Sequence, residues 1–304
     1  MVRGDGERPT ERRTLGVVVS MDCERVTDES LITGTPSWDM GRRAVLGLAE
    51  LLDREGFRGT FLPTPDTAAR QATLFAEVAG CGSEVGLQFH CRSFWDLRYS
   101  RVLGHYDREQ QRAILSQAKD VWEQALSRPL LTFRSGFLSA SDDTFPILAS
   151  LGVKQTSCSK AGRYRPEVGA CWLGALPYAH RASATCRLES GALDLVEVPV
   201  SSHPAERFST RASFDPRDPR PDSDFAPDAY REIVDAAVHE MALIAPPVAA
   251  FVILTHNTID YGSPAEPRRA HLVAMLRRLR GKESQGWQVT PATLTDVRCA
   301  LVGG

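Results

Sequence analysis

Two short apolar runs end in side chains that could hydrolyse a stable bond. Val17-Val18-Val19 leads into Asp22 and Glu24, and Phe251-Val252-Ile253-Leu254 leads into His256. Runs of this length and composition predict buried strands, which would deliver their polar residues to one rim of a sheet. A carboxylate can activate water, and an imidazole can deliver a proton near neutral pH. The pattern therefore predicts hydrolytic chemistry at the ends of core strands.

Strand-like and helix-like patterns alternate along the chain. The predicted strands cover about 15–22, 59–62, 84–90, 130–133, 193–200, 251–255 and 287–290, with a further strand entered near 152–155. The predicted helices include one that ends before Gly56 and others at about 68–80, 108–126, 141–151, 229–244 and 266–280. This alternation favours an α/β fold with a parallel sheet.

The predicted strands could form either a closed barrel or an open doubly wound sheet. No glycine-rich phosphate loop follows the first strand, which weighs against a nucleotide-binding open sheet. In a barrel, the strand ends would face one rim, where barrel enzymes place their sites. We expect a disordered tail over 1–13 and a single domain over 14–304. The polar stretch 201–228 is predicted to be a long loop of the kind that often forms lids or binding segments.

Composition excludes several classes of partner. The 304 residues carry a formal net charge of -2, so no overall field favours nucleic acid or an anionic membrane. No apolar run approaches the roughly 20 residues of a membrane span, and residues 3–13 are polar. The seven cysteines are scattered without a CxxC pair, which argues against a disulfide framework or a zinc ribbon. We expect a cytoplasmic protein that acts on a small molecule.

Several segments, in their order along the chain, resemble the polysaccharide deacetylase superfamily, whose members are also called NodB-homology or carbohydrate esterase family 4 enzymes. The segments that carry the resemblance are Val19-Ser20-Met21-Asp22-Cys23-Glu24, Gly59-Thr60-Phe61-Leu62, Glu84-Val85-Gly86-Leu87-Gln88-Phe89-His90, Phe133-Arg134-Ser135-Gly136, Glu197-Val198-Pro199-Val200-Ser201, Ile253-Leu254-Thr255-His256 and Gly286-Trp287-Gln288-Val289-Thr290. The resemblance covers about residues 15–295.

This resemblance implies a distorted (β/α)7 barrel that hydrolyses an N-acetyl or related C–N bond with a divalent metal, commonly zinc. By motif position, Asp22 would be the general base and Arg134 would hold its carboxylate. Glu24 and His90 would be metal ligands, and His256 would be the general acid that protonates the departing amine. Such a metal would polarise the acyl oxygen and acidify its bound water.

The histidine motif departs from the family pattern. The usual motif has two histidines four residues apart, but Phe94 stands at that interval after His90. If the motif is aligned from Gly86, Gln88 and Arg92 stand where the two histidines belong. One imidazole ligand is missing in either alignment, whereas catalytic zinc normally keeps three protein ligands.

Other residues could supply the missing ligand or contact the substrate. His203, at the start of the long loop, is a candidate substitute ligand. Gln88 and Trp95 are the predicted substrate contacts, and Trp172 is expected either in the core or on a sugar-binding wall.

Besides an unusual lyase or other reaction on the same scaffold, three functions remain open from the sequence. The first is deacetylation of a small intracellular N-acyl compound, such as an acylated amino sugar or a biosynthetic intermediate. The second resembles the allantoinases and cyclic-imide hydrolases and needs no metal: Asp22 or Glu24 activates water, and His90 with Arg134 polarises the carbonyl. The third is a non-catalytic descendant that binds a sugar or peptide in the same pocket.

Overall fold

A computed structural model describes residues 13–32, 34–94, 97–210, 212–223 and 225–303. The tail predicted at 1–13 lies outside these residues except for Arg13, which begins the first strand. The described strands are β1 Arg13–Cys23, β2 Gly59–Pro63, β3 Glu84–Val85, β4 Leu87–Phe89, β5 Thr132–Ser135, β6 Gln155–Thr156, β7 Tyr164–Arg165, β8 Ala170–Cys171, β9 His180–Arg181, β10 Val196–Glu197, β11 Arg207–Ser209, β12 Phe214–Pro216, β13 Ala249–His256 and β14 Trp287–Ala292.

The helices alternate with the longer strands. They are α1 Trp38–Arg54, α2 Pro65–Arg70, α3 Ala72–Gly80, α4 Arg108–Leu126, α5 Thr144–Ser150, α6 Pro227–Ile244, α7 Pro267–Arg280 and α8 Leu294–Gly303. In the part of the chain that the structure describes, no helix combines the length and apolar character needed to cross a membrane.

Parallel strands form a closed ring. β1 pairs with β2 and β13, β2 pairs with β3, and β4 continues the ring through β5 and β6 to β10. The ring closes beyond β10, where the Ser201 amide donates to the Val252 carbonyl at 3.2 Å and the Val252 amide donates to Ser201 Oγ at 2.9 Å. Because β3 and β4 share one strand position, the ring has seven positions. The predicted distorted (β/α)7 barrel is confirmed.

β1 lies at the centre of the core. From Leu15 to Cys23 all its residues are buried. Helices cover the outer face of the barrel. In α1, for example, the buried face includes Leu48 and Leu52. The helix begins after Ser37, whose hydroxyl accepts a hydrogen bond from the Met40 amide. Packing of this apolar face fixes the strand whose end carries Asp22.

Two predicted elements are interrupted. The helix expected at 68–80 is broken at Gln71, whose ψ of 34° leaves the helical region, and becomes α2 and α3. The strand expected at 84–90 is broken at Gly86 into β3 and β4. A Cβ at Gly86 would stand 2.6 Å from the Thr132 carbonyl oxygen, so only glycine allows this close approach between strands.

The predicted loop 201–228 contains structure that the sequence analysis missed. β11 and β12 form an antiparallel hairpin within it, and this hairpin joins β7 and β8 in a four-stranded sheet beside the barrel. Strands of two or three residues are too short to show a hydrophobic period, which explains why they were not predicted. The strand expected at 193–200 likewise narrows to β10.

Substitution of Gly86 by alanine should destabilise the barrel, because the new methyl group would meet the Thr132 backbone and Leu62 Cδ2 at 2.7 Å or less. Overpacking of this kind costs about 1–3 kcal/mol, and the thermal midpoint should fall accordingly. The control is Gly80→Ala in α3, where a Cβ meets nothing within 4 Å. That variant should be neutral or slightly stabilising. Equal midpoints for the two variants would contradict the close approach.

Candidate active site

Asp22 and His256 stand side by side at the carboxyl ends of neighbouring strands. They are register partners in the parallel pair β1–β13, and adjacent strands lie about 4.8 Å apart. Both line a cavity of about 450 Å³, together with Glu24 and His90. Four of the five residues that the sequence analysis placed at the strand ends therefore surround one space, and Arg134 lies behind them.

Arg134 is fully buried and holds Asp22 from the interior. Its Nη1 donates to Asp22 Oδ1 at 2.8 Å, while Nε and Nη2 donate to the carbonyl and hydroxyl oxygens of Ser157 at 3.0 and 2.9 Å. These contacts fix the guanidinium and, through it, the orientation of the carboxylate. Arg134 is not part of the cavity wall, which argues against the alternative in which it polarises a substrate carbonyl.

Glu24 is held at both its backbone and its side chain. Asn257 accepts from the Glu24 amide at 2.9 Å and donates to the Glu24 carbonyl at 3.0 Å. Gln88 Nε2 donates to Glu24 Oε1 at 2.8 Å. The pKa of Glu24 is raised to about 8, because burial and the negative charge of Asp22 together outweigh the opposing effects of His256 and of the Gln88 hydrogen bond. At pH 7 Glu24 is therefore mainly a neutral carboxylic acid.

His90 is a neutral imidazole beside Glu24. Burial, together with the positive charges of His256 and Arg92, lowers the pKa of His90 to about 3. The Nε2 of His90 lies 3.5 Å from Glu24 Oε1. The ring packs against the backbone of Gly136, where a Cβ would come within 2.3 Å of it.

Phe137 and Leu138 follow Gly136 with positive φ angles of 57° and 58°. Left-handed conformations of non-glycine residues are strained, and such strain is concentrated at functional sites.

His256 is paired with a residue that the sequence analysis missed. Its Nδ1 lies 2.6 Å from Asp222 Oδ2, so the carboxylate favours a proton on Nδ1 and orients the ring. Burial lowers the pKa of His256, but the charge and hydrogen bond of Asp222 outweigh burial and leave the pKa raised above 6.5. Asp222 belongs to the loop after β12. The one sequence signal for it is the prediction that 201–228 forms a lid or binding segment.

The predicted metal ligands lack a third partner. Glu24 and His90 adjoin each other, but Asp22 is engaged by Arg134. Over the described ranges, no group of three or more His, Cys, Asp or Glu side chains is placed to hold a metal ion. These residues do not fit a zinc site with three protein ligands. His203 does not complete it, since its Nδ1 accepts from backbone amides in its own turn and it lines a different pocket.

Of the two predicted substrate contacts, the structure describes only Gln88. Gln88 is buried behind Glu24 and is not part of the cavity wall. Trp95 lies outside the described residues. Trp172 is buried in the core, where its Nε1 donates to the Leu138 carbonyl at 2.8 Å. Several polar residues line the cavity although no motif or periodic pattern marked them as site residues, and these are Ser135, Arg163, Arg165, Asp215, Arg220 and Asp222.

Comparison with known proteins identifies the fold. No protein-family model matches the sequence, and no curated protein matches it. Solved structures do. A Mycobacterium smegmatis protein assigned as a polysaccharide deacetylase has a TM-score of 0.63 at 18% identity, over 97% of this chain and 95% of that chain. A Pseudomonas aeruginosa PAO1 protein assigned likewise scores 0.59 at 13% identity, over 95% and 91%. An allantoinase scores 0.60 at 13% identity, over 98% and 95%. This chain shares their fold.

Replacement of Glu24 by glutamine should make stability less sensitive to alkali. Because the folded pKa of about 8 lies above the ordinary value of 4.5, folding opposes ionisation, and wild-type stability should fall as pH rises between these values. The Glu24→Gln variant has no such proton to lose. Between pH 4.5 and 8, the thermal midpoint of the wild type should therefore fall relative to that of the variant. Glu50→Gln, an exposed change in α1, is the control, and parallel curves for wild type and Glu24→Gln would disprove the raised pKa.

Proposed function

We propose that this chain hydrolyses the C–N bond of a small amide-type substrate and acts as a deacetylase-like enzyme. The observation that carries the proposal is the register pair of Asp22 and His256, which are paired with Arg134 and Asp222 respectively and both face one cavity. The fold shared with proteins assigned as polysaccharide deacetylases and with an allantoinase supports the same conclusion.

Asp22 and His256 would divide the proton transfers between them. The Asp22 carboxylate, oriented by Arg134, takes a proton from a water molecule as the water oxygen attacks the acyl carbon. A tetrahedral intermediate results, with negative charge on the former carbonyl oxygen. His256, whose pKa is raised by Asp222, supplies a proton to the nitrogen as the C–N bond breaks. The products are a carboxylic acid and an amine.

Glu24 would stabilise the charge that develops on the acyl oxygen. With a pKa of about 8, it keeps its proton at pH 7 and can donate a hydrogen bond rather than repel an oxyanion. Ser135 is a second donor of suitable position, since it lines the cavity and its hydroxyl has no partner among the described residues. Donors in a buried site stabilise an oxyanion more strongly than they would in water.

The mechanism uses no metal. The predicted divalent metal at Glu24 and His90 would polarise the acyl oxygen if bound, but the donor set does not fit three-ligand zinc, and the proposed steps do not pass through it. The cavity of about 450 Å³ suits a small ligand. An acylated amino sugar or a biosynthetic N-acyl intermediate is a substrate of suitable size.

Removal of either proton-transfer group should abolish most of the activity. Asp22→Asn and His256→Gln should each lower kcat/KM by a factor of about 10²–10⁴, measured as primary amine released from a panel of N-acyl amino sugars and N-acyl amino acids. Asp39→Asn and His239→Gln, exposed on α1 and α6, are matched controls and should leave the rate unchanged. Wild-type activity should also persist in a chelator.

Three results would count against this account. Wild-type rates in both Asp22→Asn and His256→Gln would remove these residues from the reaction. Loss of activity on chelation, restored by zinc, would show that a metal is needed despite the incomplete donor set. Ligand binding without amine release from any panel member would instead favour a binding protein that has kept the cavity.

Substitution of Asp222 should shift the pH profile as well as the rate. In Asp222→Asn, the histidine loses the charge that raises its pKa, so the protonated acid should be lost at lower pH. The alkaline limb of the kcat/KM profile should therefore move toward acid relative to wild type. A uniform loss of rate with an unmoved limb would indicate that Asp222 only supports the local structure.

A further inference from the structure

A group of basic residues lines the cavity beside the candidate catalytic residues. Arg163, Arg165 and Arg220 are part of its wall, and Lys160 is buried beside them. β7 carries Arg165 and directly follows Arg163, while Arg220 lies between β12 and α6. The small antiparallel sheet therefore brings cations to the mouth of the barrel from segments that are distant in sequence.

The nearby carboxylates are shared among these cations. Asp215 lies 2.6 Å from Lys160, 3.7 Å from Arg163 and 3.9 Å from Arg165. A single carboxylate thus faces three positive side chains. The negative charge of Asp215 is therefore shared among the three cations.

Two further carboxylates compensate the other members of the group. Asp218 contacts Lys160 at 2.8 Å and Arg220 at 3.1 Å. Glu167 accepts from Arg165 at 2.7 Å on a more exposed part of the surface. Asp222 and Asp22 also attract Arg220. Lys160, Arg165 and Arg220 each have a carboxylate oxygen within 3.1 Å, whereas the ion pair of Arg163 with Asp215 is longer, at 3.7 Å.

Arg163 is buried with one of its guanidinium donors, Nε, left without a hydrogen bond among the described residues. Only 5% of the residue is exposed. Burial lowers the pKa of Arg163, against the opposing attraction of Asp215. Burying an incompletely paired charge is costly. Of the described arginines whose buried Nε lacks a partner, Arg163 and Arg220 line the cavity, where a ligand could supply one.

We infer that Arg163, assisted by Arg165 and Arg220, binds an oxyanion of the substrate, either a carboxylate or a phosphate. This inference rests on the proposed function and narrows its substrate to an N-acyl compound that carries an anionic group. A guanidinium presents paired donors that match either oxyanion. The Asp22 carboxylate lines the same cavity, so the anionic end of the substrate would turn toward the arginines and leave the acyl group near Asp22.

Direct binding of simple anions tests the inference without knowledge of the whole substrate. Inorganic phosphate and succinate are titrated into the full chain by calorimetry at constant ionic strength, and the stronger of the two identifies the preferred oxyanion. Arg163→Gln should weaken that binding about tenfold or more. Arg163→Lys, which keeps the charge but loses the paired donors, should fall between. Arg54→Gln, an exposed change in α1, should bind as wild type does.

Stability separates a binding role from a structural one. Without anion, Arg163→Gln should unfold at the wild-type temperature or higher, because a buried and poorly paired charge has been removed. With saturating anion, wild type should gain more thermal stability than the variant. Failure of either anion to bind wild type, or equal binding by Arg163→Gln, would overturn the inference.

Turnover distinguishes this inference from the proposed function. N-acetylglucosamine, its 6-phosphate and N-acetylmuramic acid share one acetamido group and differ in charge. Faster amine release from a charged member, lost in Arg163→Gln, supports both proposals. Equal release from all three, unchanged in the variant, retains the hydrolase and rejects the anion site. Arginine-dependent anion binding with no release from any N-acyl compound retains the anion site and rejects the hydrolase.

Discussion

The parallel register between β1 and β13 is the constraint on which the site depends. Asp22 and His256 face the same cavity because the two strands align from Leu15 and Ala249 onward without interruption. A slip of one residue would reverse the side-chain directions along one strand and separate the carboxylate from the imidazole. Burial of β1 on both sides and the Asn257 contacts to the Glu24 backbone oppose such a slip. Core packing thereby determines the geometry of the chemistry.

The environment assigns different protonation behaviour to similar groups. Asp22 and Glu24 are one residue apart, yet Asp22 has a guanidinium partner whereas Glu24 has an amide and a neutral imidazole. Burial holds the pKa of Glu24 well above its ordinary value, whereas Asp22 is engaged in an ion pair with Arg134. His90 and His256 differ in the same manner, because burial dominates the first and Asp222 the second. Separated pKa values of this kind allow one cavity to supply both a base and an acid.

The sequence predicted the parts of the site that lie at the ends of long strands. Apolar runs located Asp22 and His256, and the order of motifs led to the correct barrel. The partners on irregular segments were not accessible in this way: Asp222 and Arg163 lie beside strands of two or three residues, where hydrophobic period carries no signal. Their roles depend on which loops meet at the barrel mouth. The cytoplasmic location, the metal and the substrate stay predictions.

The turn formed by Phe137 and Leu138 links the thermal stability of the protein to the shape of its cavity. Two successive left-handed residues cost of order 1–3 kcal/mol each, and both line the cavity next to His90. Glycine at 137 would relieve that cost, and a selection for heat resistance would favour it, whereas glycine at 138 would also remove a buried leucine side chain from the core. The change at 137 would remove from the cavity wall the ring that packs against the His90 imidazole. A substitution in this loop that raises thermal stability would therefore also change the wall of the catalytic cavity. Directed evolution toward higher stability would have to use substitutions elsewhere in the barrel.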